Sequence, residues 1–214
     1  MSSPAERRRS PATYDVLAGG ARAEVSDRGS RFLALVVAAV DEVAAQRALR
    51  AIEDEHDDAT HVCWAWRLGV PARERSSDAG EPGGTAGLPI LRALQSSGLS
   101  DALVAVVRWY GGTNLGRGGL VRAYGRAARE ALAAAPRRTV VAAEELVVEV
   151  ALERAGGVKR LLRPPHIELL AESYAECARL VLRVEITHSP ELRRCLGDLG
   201  AVVPTDAEPA GDPR

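Results

Sequence analysis

Two short segments carry residue types on which chemistry could be built. The first is Ser77-Asp78-Ala79-Gly80-Glu81-Pro82-Gly83-Gly84-Thr85-Ala86-Gly87. It sets two carboxylates, Asp78 and Glu81, in a loop entering a helix N-terminus, which is also where Thr85 can act as a cap. Gly80, Gly83 and Gly84 permit backbone angles closed to other residues, and Pro82 stiffens the middle. Such a loop can be the rim of a recognition groove, or a helix entry with solvated acids. The second segment, Arg108 to Tyr124, reads as a strand, then a loop with five glycines (111, 112, 116, 118 and 119), then a helix. Loops of this design leave N–H groups free beside a helix N-terminus, which favours anions. Arg108, Arg117 and Arg122 could supply charge-assisted hydrogen bonds to phosphate. Trp109 and Tyr110 could stack on a base or pack inside. The same glycines would also serve a loop that only packs a helix tightly onto a strand. Neither a P-loop nor a complete dinucleotide fingerprint is present.

Charge supports an anionic ligand. From Thr85 to Arg138 there are eight arginines (92, 108, 117, 122, 126, 129, 137 and 138) against Asp101 and Glu130, so the span carries +6 within a chain of net charge −1. A cationic region of this kind can concentrate anions locally; a solvated charged surface would look the same. Catalysis finds little support. The histidines (56, 61, 166 and 188) lack metal spacing along the chain, so no metal site and no cofactor is expected. His61 reads as packed or hydrogen-bonded. Cys63 has no nearby base or cation to mark it as a nucleophile. Three cysteines without CxxC spacing suggest neither a disulfide framework nor a zinc site. The longest apolar run, nine residues from Phe32 to Val40, is too short to span a bilayer, and a cytoplasmic location is expected.

The elements that must position these segments follow from periodicity. With only 4% aromatic residues, the core must be built from Ala, Val and Leu. Two strands over 22–40 surround the turn Ser26-Asp27-Arg28-Gly29. Asp41 offers an N-cap to a helix over 43–55, and 61–68 alternates as a strand with Trp64 and Trp66 on one face. Residues 71–82 read as an exposed loop, 85–94 as a helix stopped by Gly98, and 101–107 as an apolar strand. The helix over 120–134 turns its apolar positions one way and Arg122, Arg126 and Arg129 the other. Pro136 reads as a boundary. Beyond it come strand 145–151, helix 153–162, strands 166–173 and 178–187, helix 190–198 and a weak final strand at 201–203. That βαββαβ order is a split βαβ arrangement. The expected domains are 13–136 and 144–204, between disordered tails at 1–12 and 205–214.

One resemblance sharpens this reading. The string Ser-Asp-x-Gly-Glu-Pro-x-Gly-Thr-Ala-Gly-x-Pro-Ile-Leu in 77–91, Gly98-Leu99, and Arg-Trp-Tyr-Gly-Gly-x-x-Leu-Gly-x-Gly-Gly-Leu-Val-Arg-Ala-Tyr at 108–124 resembles, in order and spacing, the hallmark of the IMPACT/YigZ family. Ser30-Arg31-Phe32 and Asp58-Ala59-Thr60-His61-x-Cys63-Trp64-Ala65 match upstream. There are departures. Ala79 stands where a second Asp is usual, and Gly83 where Ser is common. Asn114 replaces a frequent Lys, and Arg117 a frequent Thr, so cationic character is kept in count but not in position.

The resemblance implies an α+β protein of two domains. The first would be a βαβ domain like the second domain of a small-subunit ribosomal protein. The second would be ferredoxin-like, similar to the last domain of elongation factor G. It further implies a non-catalytic, monomeric binding protein linked to regulation of translation, with RNA, the ribosome or another polyanion held in a basic glycine-rich groove. The candidate site is Arg108, Trp109, Tyr110, Gly111, Gly112, Gly116, Arg117, Gly118, Gly119, Arg122 and Arg126, with Asp78, Glu81 and Thr85 on the rim. A protein–protein regulator competing for an acidic partner and a nucleotide- or phosphate-binding enzyme are the alternatives.

Overall fold

The computed structural model describes residues 12–204, so the tails expected at 1–12 and 205–214 lie outside the described residues, Ala12 excepted. Residues 14–140 form one unit; 141–204, with 12–13, form the other.

In chain order the first unit comprises β1 (Thr13–Leu17), β2 (Ala21–Asp27), β3 (Ser30–Ala38), α1 (Glu42–Glu55), β4 (His61–Leu68), β5 (Arg73–Ser77), α2 (Gly87–Ser97), β6 (Ala102–Trp109), α3 (Gly116–Ala134) and β7 (Arg137–Val141). Five strands make an antiparallel sheet in the order β2-β3-β6-β4-β5, and β1 pairs with β7. The β2–β3 turn follows the sequence expectation. Arg28 and Gly29 have φ of 46° and 83°, two left-handed residues whose twist matches a right-handed hairpin.

Alternation along β3 and β6 sorts the two faces of the sheet. Phe32, Ala34, Val36, Val104 and Val106 pack under α2 and α3 with Ile90, Leu94, Tyr124 and Leu132. On the other face Ala105 and Val107 meet Ile52 of α1, and Trp66, Leu68 and Leu103 meet Ala45. Tyr124 and Phe32, both fully buried, meet edge to face with ring centroids 5.1 Å apart, the geometry aromatic quadrupoles favour. Asp41 caps α1 by accepting from the Ala44 amide at 2.6 Å, and Gly98 ends α2 with φ of 75°.

Three expectations need correction. The loop expected over 71–82 contains β5, a charged edge strand paired with β4; Arg73, Glu74 and Arg75 blunt the open edge against further pairing. The glycine loop is shorter than 111–119, because Gly116 to Gly119 already form the first turn of α3. Chain continues past Pro136 into β7 of the same unit.

The second unit comprises β8 (Ala143–Val150), a 3₁₀ turn at Leu152–Arg154, α4 (Ala155–Lys159), β9 (Ile167–Tyr174), β10 (Ala178–Glu185) and α5 (Ser189–Asp198). Its antiparallel sheet runs β8-β10-β9. The weak strand expected at 201–203 is a single bridge, in which the Val202 and Glu149 backbones exchange two hydrogen bonds of 2.8 Å. Val148, Leu180 and Leu182 from the sheet, Val158 from α4 and Leu196 from α5 form the core. The helix expected over 153–162 contracts to α4, where Gly156 and Gly157 give it weak intrinsic support.

Candidate functional site

The loop between β5 and α2 is built around one carboxylate. Asp78 accepts hydrogen bonds from the amides of Gly84 (2.7 Å), Ala86 (2.9 Å) and Gly87 (2.8 Å). These are the orphan donors of a helix start. Partial burial works to raise the Asp78 pKa, but the three amides outweigh it with help from Arg117, and the carboxyl lies below its ordinary value. Thr85 does not cap α2; it is buried, and its hydroxyl donates to the Pro82 carbonyl at 2.6 Å. The anion-binding end of α2 is therefore occupied by the chain's own Asp78. His61 clips the loop to β4, its Nδ1 donating to the Ala79 carbonyl at 2.8 Å.

Glu81 turns inward. It is 8% exposed, and its Oε1 accepts both from Arg108, itself 6% exposed, and from the Tyr124 hydroxyl at 2.7 Å. Placing an arginine at the end of an otherwise apolar β6 requires such a partner, because an unpaired buried charge is very costly. Cys63 lies beside the same group, its thiol donating to the Asp78 carbonyl at 3.0 Å and lying 3.4 Å from the Tyr124 hydroxyl. Burial pushes this thiol up to about 12, partly opposed by Tyr124. Burial likewise raises the Tyr124 phenol, reinforced by Cys63 and Glu81. Arg108, expected to hold phosphate, is thus committed to Glu81.

Trp109 points to the opposite side of the sheet from Arg108, as alternation requires. Its ring is covered by the Arg31 guanidinium 3.9 Å from the centroid and edged by His56. That face is not open for base stacking. Tyr110 is 51% exposed, with the Arg108 guanidinium 5.5 Å from its ring centroid. Gly111 makes a close backbone approach. A Cβ there would lie 1.9 Å from the Gly29 carbonyl carbon, and the Gly111 amide donates to the Ser30 hydroxyl at 3.1 Å. Gly112, Gly116 and Gly118 are exposed, whereas Gly119 is buried against Leu115. Asn114 accepts from the Gly116 amide at 2.9 Å, and Arg117 donates to the Gly83 carbonyl at 2.7 Å, which ties the start of α3 to the α2 loop.

Arg92 of α2 and Arg122, Arg126 and Arg129 of α3 lie on the exposed sides of these two helices, which pack together through Gly125 and Pro89. Arg126 pairs with Glu130 at 2.7 Å. Arg92, Arg122 and Arg129 are exposed and have no hydrogen-bond or ion-pair partner among the described residues. Leu88 and Val121 sit among them, 46% and 38% exposed. Arg129 shares the polar side of α3 with Arg122 and Arg126, where the helical period of the sequence sets it; Arg92, on α2, is the cation that the sequence reading gave no place in the site.

Residues 28–132 match the Impact N-terminal domain. An IMPACT family member in the pol 5′ region of Thermus thermophilus is 41% identical over 155 residues, spanning 72% of this chain and 84% of that protein. IMPACT family member YigZ of Escherichia coli K12 is 34% identical over 160 residues, spanning 73% and 78%. A crystal structure of a hypothetical protein aligns at 28% identity and TM-score 0.69, over 92% of this chain and 98% of that one. This mixed α/β chain belongs to the IMPACT family.

Proposed function

We propose that this chain is a non-catalytic binding protein linked to regulation of translation, and that the outer face of α2 and α3 holds RNA, the ribosome or another polyanion. The observation carrying the reading is Arg92, Arg122 and Arg129 on the exposed side of two packed helices, with no carboxylate paired to them among the described residues. Arg122 and Arg126 are like charges one helical turn apart, an arrangement that weakens a helix unless something neutralises it. Glu130 serves Arg126 alone; a phosphate backbone would serve the rest, and Tyr110 is exposed for stacking. The reading moves the groove of the sequence expectation from the glycine loop to the helix pair.

The absence of catalysis is part of the proposal. It is supported by Asp78 and Glu81 being engaged internally and by a buried Cys63 thiol held protonated. The sheet order β8-β10-β9 with the Val202–Glu149 bridge supports a ferredoxin-like second domain, and the family relationship supports a ribosomal-protein-like first one. A cytoplasmic location and a monomeric state complete the proposal; no helix among the described residues is long and apolar enough to cross a membrane. Leu88 and Val121 favour one second reading, an acidic amphipathic protein segment on the same face. Crosslinking in the native cells, with and without nuclease, separates the two. Ribosomal or messenger RNA lost on nuclease treatment is expected, and a protein retained after nuclease would favour the second.

A further inference from the structure

Outside that region, folding brings His166 to a pair of ligand-type side chains, Glu185 and His188, that the sequence already sets three residues apart. Antiparallel pairing of β9 with β10 sets Ile167 opposite Val184, and the Glu185 amide donates to the His166 carbonyl at 2.9 Å. A turn after β10, closed by the His188 amide donating to the Glu185 carbonyl at 2.8 Å, brings His188 back over Glu185 at the start of α5. His166 is thus brought to the pair by strand register.

Glu185 is 5% exposed. His166 Nδ1 lies 2.9 Å from Glu185 Oε2, and His188 Nδ1 lies 3.7 Å from the same oxygen. The two imidazoles are stacked, centroids 4.5 Å apart and planes 18° apart. One ligand atom from each residue falls within 4.8 Å of the others. Ligands about 2.0–2.1 Å from a tetrahedral ion are separated by about 3.3 Å, a value bracketed by the two nitrogen–oxygen distances. A hydrogen bond from His166 would satisfy the buried carboxylate without a second imidazole stacked on the first. Beside His188 a cavity of about 210 Å³, lined also by Arg163, Glu191 and Cys195, gives space for a water.

We propose that His166, Glu185 and His188 bind one divalent transition-metal ion, with Zn²⁺ fitted best by two imidazoles and a carboxylate, and with a fourth position open to the cavity. The test uses the full chain stripped with a chelator and titrated with Zn²⁺ or Co²⁺ alone. One equivalent should be retained after desalting, with Co²⁺ giving visible bands of tetrahedral coordination and no thiolate charge-transfer band. His166→Gln with His188→Gln should weaken binding on the order of 100-fold or more and remove the bands, with far-UV circular dichroism unchanged. Should that variant misfold, the wild-type Co²⁺ spectrum still decides the ligand type. Absence of a retained equivalent, a thiolate band assigning the ion to cysteine, or undiminished binding by a folded double variant would overturn the proposal.

Discussion

Arg108 and Arg122 belong to one continuous stretch of sequence and finish in opposite environments. Arg108 is enclosed with Glu81 and Tyr124, whereas Arg122 stands in solvent without a partner among the described residues. Burial separates them. A cation at the end of an apolar strand under two helices must carry its own counter-ion, while a cation on the outer side of a helix is stable in water alone. The hallmark segment is therefore divided: its interior half fixes two loops and two helix starts, and its exterior half leaves positive charge in solvent, the part on which the proposed binding rests.

Removing one member of the interior set should have the largest effect. Glu81→Ala strands a buried guanidinium and a buried phenol, so urea denaturation should show a loss of about 3–5 kcal/mol. A loss within experimental error would mean that the pair is not sealed from water. Next in size is the cap. Asp78→Asn keeps an acceptor but removes the charge that the helix start favours, and a loss of about 1 kcal/mol is expected at neutral pH. The folded carboxyl titrates below its ordinary 3.8, so its contribution is complete above that value and is lost as pH falls through the depressed one. The difference in urea midpoint between wild type and Asp78→Asn should accordingly shrink in acid; a constant difference would locate the effect elsewhere. Smallest is a difference in reactivity. Cys63 is buried with its thiol pushed up to about 12, while Cys177 and Cys195 are partly exposed. A thiol reagent at mildly alkaline pH should label two cysteines in the native protein and a third only on unfolding.

Much of this division was legible beforehand, and its failures have physical causes. Apolar periodicity placed β4, α1 and the body of α3 because burial of one face dictates it. The edge strand β5 escaped because charged residues that protect an edge look like those of a loop. Thr85 was given the cap since it directly precedes the helix; Asp78 reaches the same amides from across a loop bent by left-handed Ala79 and Gly80, with φ of 43° and 90°. Arg108 was read as a phosphate ligand because its partner Glu81 lies in the other segment, and pairing between distant segments has no local signature. The approach of His166 to Glu185 and His188 likewise depends on strand pairing and has no local signature.

The central claim, that the outer arginines bind and the inner one builds, is tested most directly by measuring affinity for single-stranded RNA against salt concentration, for wild type and for Arg122→Glu with Arg129→Glu. Wild type should bind with log affinity falling linearly against log salt. The double variant should lose most of that affinity and about two units of the slope, with stability within about 0.5 kcal/mol of wild type. Salt-independent binding, or equal affinity for a folded double variant, would contradict the account.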